Sequence, residues 1–160
     1  MKKKTDAPTK LEEPMLAYGN TYASTPLAIM MGSAQSKPSD FELLKLARKG
    51  VTKKTLLALA KKISLTIEEV ASVLHISERT LQRYTPSTLI KTEYADRAIE
   101  LAQLYERGVE VLGSNKAFNA WLKSPNFALG GEIPFSLLDT RIGFTMVLDI
   151  LGRIEHGVFS

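Results

Sequence analysis

The sequence predicts an all-α protein: a helix-turn-helix unit followed by a second helical region. Two capping boxes, Ser39-Asp40-Phe41-Glu42 and Thr66-Ile67-Glu68-Glu69, each open a stretch whose apolar residues recur at helical spacing. Between Leu65 and Tyr84, two short helical stretches are separated by only three residues. Behind them, Tyr94, Ala98, Leu101, Ala102, Tyr105, Val109 and Leu112 form a single stripe along a longer segment.

Residues 1–38 carry four of the seven prolines, Pro8, Pro14, Pro26 and Pro38, among Ser, Thr, Gly and Lys without sustained periodicity. The expectation is a disordered or partner-ordered N-terminal arm. A helix then starts after Ser39, carries Phe41, Leu43, Leu44 and Ala47, and stops at Gly50. A second, from about Thr52 to Lys62, places Leu56, Leu59, Ala60 and Ile63 on one side.

The helix-turn-helix occupies Thr66 to Tyr84, within a DNA-binding domain expected over residues 39–90. Leu65 is placed to staple onto Val70, and Ile76 onto Leu81. Val70, Leu74, Ile76 and Leu81 fill the wedge between the two helices. With Leu81 and Tyr84 inward, Arg79, Gln82 and Arg83 share the outer face of the second helix. Arginine suits guanine and glutamine suits adenine, while Thr80 near the helix start is placed for a base or a phosphate. Glu68, Glu69 and Glu78 crowd the same region and repel phosphate unless they point away. A structural hairpin with a solvated face remains the alternative to DNA contact.

Pro86 ends the unit by disfavouring helix at Thr85. Residues 91–160 form the second region, starting with a helix from about Glu93 to Leu112 that Gly113 stops. Ser114 caps the next helix, where Phe118, Trp121 and Leu122 make an apolar face and Trp121 is expected as a core anchor. Leu129-Gly130-Gly131 reads as a turn, with neither the strand nor the lysine that a phosphate loop needs. Pro134 opens a short helix through Leu138. Thr140 caps the last one, with Gly143, Val147, Ile150, Leu151, Ile154 and Val158 along a seam. Gly143 and Gly152 inside this helix suggest close approach of another element or chain.

The chain has 160 residues, no cysteine and two histidines. These exclude disulfides and Cys-based metal sites, and a reducing compartment agrees with them. No apolar run spans a bilayer, so the expectation is a cytoplasmic protein without membrane attachment. Neither His75 nor His156 has a second ligand at metal spacing, and adjacent Glu155 and His156 diverge around a helix, so neither a metal, a cofactor nor catalysis is expected. His156 suits the negative end of the final helix instead. Charge is uneven: residues 1–65 hold 12 Lys+Arg against 5 Asp+Glu, and residues 66–160 hold 9 against 12. A polyanion would meet the front half.

The second region closes on a string of residues: Trp121-Leu122, Pro125-Asn126, Leu129-Gly130-Gly131, Pro134, Leu137-Leu138, Thr140, Gly143, Val147, Leu151 and Ile154-Glu155-His156-Gly157. Together with the helix-turn-helix it resembles the Xre/MbcA/ParS antitoxins over about residues 39–160. The resemblance implies an Xre-like DNA-binding half, a C-terminal half that binds a RES-domain toxin that degrades NAD, and binding to operator DNA of the chain's own operon. It implies that the chain is an inhibitor and not an enzyme. On that reading Arg153, Glu155, His156, Gly157, Val158, Phe159 and Ser160 meet the toxin. Gly157 permits a turn, Val158 and Phe159 fill apolar space, and the Ser160 carboxylate faces cationic groups in the NAD pocket. Phe159 packed on the chain's own last helix is the competing expectation. A two-fold homodimer follows from the usual spacing of reading helices, with higher assemblies with toxin expected. A helix-turn-helix regulator whose C-terminal half only dimerises is the alternative function.

Overall fold

The computed structural model describes residues 24–32 and 36–158. Among the described residues eight α-helices follow one another: α1 (Pro26–Met31), α2 (Asp40–Lys49), α3 (Lys53–Ile63), α4 (Ile67–Leu74), α5 (Glu78–Arg83), α6 (Thr92–Leu112), α7 (Asn115–Leu122) and α8 (Arg141–Glu155). Two 3-10 segments, Phe127–Leu129 and Pro134–Asp139, lie between α7 and α8. Among the described residues the one β feature is an isolated antiparallel bridge between Thr52 and Leu89. The expected all-α class is therefore what the chain adopts.

The caps read from the sequence are formed. Ser39 and Thr66 each accept from the N–H three residues on, and the Glu42 and Glu69 carboxylates accept from the Ser39 and Thr66 N–H groups at 2.8 and 2.9 Å. Thr52, Ser77, Ser114 and Thr140 cap α3, α5, α7 and α8 in the same way. Each satisfies a backbone donor that the helix itself leaves open.

Part of the segment expected as an arm belongs to the core. Thr25 caps α1, Pro26 sits in its first turn, and Gly32 ends it in the left-handed region at φ 76°. Leu27 and Met30 are buried against α3 and α6, and the Leu27 N–H donates to Glu106 Oε1 at 3.1 Å. Six residues are too few to show a helical period, so proline density outweighed the apolar run Leu27-Ala28-Ile29-Met30-Met31 in the sequence reading. The rest of the expected arm, residues 1–23 and 33–35, lies outside the described residues.

The helix α6 is the axis of the fold. It packs against α1, α2, α3 and α4 on one side of the chain order and against α7 and α8 on the other. Its Ala95, Ala98, Ile99, Leu101, Ala102, Leu104 and Tyr105 are all buried in one continuous core. A division at residue 90 consequently falls just before the helix on which both halves pack. Two asparagines of α7 reinforce the junction: Asn115 Nδ2 donates to the Lys62 carbonyl and Asn119 Nδ2 to the Ile63 carbonyl, both at 2.9 Å. These are carbonyls at the open end of α3. Asn119 Oδ1 in turn accepts from the buried Tyr105 hydroxyl at 2.6 Å, and burial pushes that phenol's pKa up.

Candidate functional site

The second helix of the helix-turn-helix, α5, is held at both ends. Ser77 caps its start, and the Lys53 ammonium donates to the Tyr84 carbonyl at its end, 2.9 Å away. Leu81 is buried and Tyr84 half-buried, which leaves Arg79, Gln82 and Arg83 exposed on the outer face as the spacing predicted. Thr80 is half-buried and its hydroxyl pairs with Ser77 Oγ at 2.8 Å. Of the three nearby acids, Glu69 turns away to Thr66 and to the Lys123 ammonium at 2.6 Å. Partial burial pushes this carboxyl up, but Lys123 and the Thr66 N–H outweigh it and hold it below the usual range. Glu68 and Glu78 stay exposed.

The turn between α4 and α5 is tied to the C-terminal half. His75 closes α4 in the left-handed region at φ 58°, and its Nε2 lies 2.5 Å from the Asp139 carbonyl oxygen. Arg97 on α6 donates to the Val73 and Leu138 carbonyls, each at 2.8 Å. The His75 contact and the Arg97–Leu138 bond land on the end of the Pro134–Asp139 segment, which leads directly into α8, while the Arg97–Val73 bond holds the last turn of α4.

At the far end of α8 an apolar groove of about 520 Å³ is lined by Trp121, Asn126, Phe127, Ala128, Ile150, Arg153, Ile154 and Val158. The Asn126 side chain caps the Phe127–Leu129 turn, and Gly130 and Gly131 close it at φ 69° and 89°. That closure leaves Phe127 fully exposed at the groove's rim. Trp121 stacks on Phe118 at 6.0 Å between ring centroids and packs against the core, as expected, while also lining the groove.

Of the expected C-terminal residues, Arg153 and Val158 meet at this groove. Val158 is not on the seam of α8: the helix ends at Glu155 and the Val158 N–H folds back to the Arg153 carbonyl at 2.9 Å. Gly157, at φ 67°, makes this turn possible because an L side chain resists that region. Glu155 is engaged by both guanidinium nitrogens of Arg107, which hold its carboxyl below the ordinary range. The His156 ring is exposed and reaches the Glu155 carboxylate at 3.8 Å. Phe159 and Ser160 lie outside the described residues.

Sequence reading missed Phe127, Asn126 and the groove. The signal was present: an aromatic residue on a turn closed by two glycines has no helix face to carry it inward.

Fold and sites define a class: a helix-turn-helix protein with a helical docking module appended through a shared central helix. Residues 42–103 match the sequence profile of the antitoxin Xre-like helix-turn-helix domain, and residues 107–157 that of the antitoxin Xre/MbcA/ParS C-terminal toxin-binding domain. The chain is similar to an antitoxin Xre of Yersinia enterocolitica, 32% identical over 99 residues covering 61% of this chain and 67% of that one. It is likewise similar to the mycobacterial cidal antitoxin MbcA of Mycobacterium tuberculosis, 33% identical over 101 residues covering 62% and 87%. A Prs ADP-ribosylating antitoxin of Sphingobium sp. is 38% identical over 80 residues, covering 44% of this chain and 50% of that one. The chain belongs to the Xre/MbcA/ParS antitoxin family: it is an antitoxin of a toxin-antitoxin system, with a helix-turn-helix that binds DNA and a module that binds toxin. Among the described residues no helix is long and apolar enough to cross a membrane.

Proposed function

We propose that the chain neutralises a RES-type, NAD-degrading toxin by seating the toxin on the Trp121–Phe127–Ile150–Ile154 groove and directing its last residues into the toxin's active site. The observation that carries this reading is the position of the groove: Val158 lines it, brought back over the Arg153 carbonyl by the turn at Gly157. Apolar side chains without an internal partner gain stability only when another surface covers them. The ADP-ribosylating chemistry in the name of the Sphingobium relative uses NAD, which supports the substrate class of the toxin. Arg153, lining the groove, supplies a cation, and Glu155 and His156 follow it on the same end of the chain as further contacts for the toxin. The chain itself performs no catalysis in this scheme.

The same protein represses its own operon in the cytoplasm, as a homodimer that places two α5 helices one DNA turn apart. Arg79, Gln82 and Arg83 face base edges and Thr80 the backbone beside them. The test is deletion of Val158, Phe159 and Ser160. Inhibition of the toxin should weaken by at least tenfold with unfolding unchanged, and intact inhibition would remove the blocking role of the tail.

A further inference from the structure

The loop that follows α5 and the start of α3 come together into a basic shelf beside the reading helix. Residues 43–67 hold seven Lys+Arg and no acid, and residues 79–92 hold three and no acid, with Glu78 and Glu93 bracketing the second segment. The fold joins these two stretches directly. Thr52 and Leu89 form the isolated bridge, the Ile90 N–H donates to the Val51 carbonyl at 2.8 Å, and the Lys53 and Lys54 N–H groups donate to the Thr88 and Pro86 carbonyls at 3.0 and 2.9 Å. Gly50 is required for this approach: at φ 85°, a Cβ there would lie 3.0 Å from the Ile90 carbonyl oxygen. Lys53 then reaches the carbonyl at the end of α5, so the shelf and the reading helix share an edge.

Two features leave the shelf open to a ligand. None of Lys53, Lys54, Arg83 and Lys91 is ion-paired among the described residues, although the chain pairs its Arg107 and Lys123. The loop itself is ordered, with Thr85, Ser87 and Thr88 hydroxyls linked at 2.8 to 3.4 Å and the Thr85 N–H donating to Thr88 Oγ1 at 3.0 Å. Unpaired cations and hydroxyl donors on a rigid turn suit an extended polyanion, and continuity with α5 identifies which one.

We propose that Lys54 and Lys91, with Lys53 and the Thr85 and Ser87 hydroxyls between them, grip the phosphate backbone of duplex DNA beside the bases that α5 reads. This rests on α5 being a DNA-reading helix. Phosphate contact carries no sequence information but fixes register and supplies salt-dependent affinity.

The experiment uses the full chain and two probes: the duplex upstream of its own gene, and a random-sequence duplex of equal length. Lys54 and Lys91 are exposed, so Lys54→Ala and Lys91→Ala should leave thermal unfolding unchanged. Each should weaken both duplexes by the same roughly three- to tenfold factor, and lower the slope of log affinity against log salt by about one. Arg79→Ala should instead weaken the upstream duplex alone. If both lysine variants bind with unchanged affinity and slope while Arg79→Ala loses the upstream duplex, the shelf is overturned and the reading helix stands. If the lysine variants lose only the upstream duplex, these side chains read bases and the phosphate assignment fails. If Arg79→Ala and Arg83→Ala bind as well as the parent, the DNA reading fails first and takes the shelf with it.

Discussion

Arg97 donates from its Nη2 to the Leu138 carbonyl at 2.8 Å, joining the helix at the centre of the fold to the segment that leads into α8. Its Nε holds the Val73 carbonyl at the same distance, and its guanidinium lies 5.5 Å from the centre of the Phe144 ring. One side chain thus bridges the DNA-binding and toxin-binding halves. Arg97→Ala leaves two carbonyls without their donor and is expected to cost about 2 to 4 kcal/mol in urea unfolding, with an unchanged m-value. Arg97→Lys should recover less than half, since an ammonium cannot reproduce the planar two-sided fork. A loss below about 0.5 kcal/mol for the alanine variant would show that the bridge contributes little.

The two glycines of α8 separate cleanly. A Cβ on Gly143 would sit 1.8 Å from the Leu137 carbonyl oxygen, a backbone atom with no freedom to yield, whereas a Cβ on Gly152 meets nothing within 4 Å. Gly143→Ala should destabilise by more than about 3 kcal/mol, and Gly152→Ala should stabilise by up to about 1 kcal/mol through helix propensity. Calorimetry checks both. If Gly152→Ala stabilises the free chain yet weakens toxin binding, the partner's surface comes close at that position.

Phe127→Ala should leave stability within about 0.5 kcal/mol of the parent, because the ring is fully exposed. It should weaken toxin capture by about 1 to 3 kcal/mol if the groove is the seat of the toxin. Trp121→Ala should damage both quantities, since its ring also stacks on Phe118. Isothermal titration against the purified toxin, alongside thermal unfolding, separates the two effects.

The carboxylates Glu69 and Glu100 give opposite pH signatures. Glu69 is held low in the folded chain, so its contribution is present above the ordinary carboxylate range and is lost as pH falls below about 4. Glu100 is raised, first by burial and then by Asp96, so the fold prefers it protonated and loses stability as pH rises through its folded pKa. Glu69→Gln should therefore destabilise at pH 7, and Glu100→Gln should stabilise there. Both differences should shrink towards zero below about pH 4, measured by urea unfolding across pH 3 to 8.

Local chemistry made most of the fold legible in the sequence. Ser39, Thr66, Ser114 and Thr140 each specify a helix start through one side-chain acceptor and the periodicity behind it, and all four caps form. The outward Arg79, Gln82 and Arg83 follow from Leu81 alone, because one buried residue fixes the phase of a short helix. What stayed hidden depends on contacts far apart in sequence. Burial of α1 requires Glu106 and α6, and the pinning of the helix-turn-helix turn requires Arg97 and the carbonyls of Leu138 and Asp139. Gly108 shows the same limit: nothing local marks it, yet a Cβ there would fall 2.4 Å from the Phe118 ring. Phe127 had a local signal in its two-glycine turn, but the groove did not, because Ile150, Arg153 and Ile154 line it from α8, more than ten residues away.

The most direct test of the account is NAD consumption by the partner encoded beside this gene, co-purified with the full chain and assayed before and after the chain is stripped away. The account predicts an inert complex, rapid NAD loss by the freed partner, and renewed inhibition when the intact chain is added back but not when residues 158–160 are missing. A partner that consumes no NAD when free, or one that the chain leaves fully active, would contradict it.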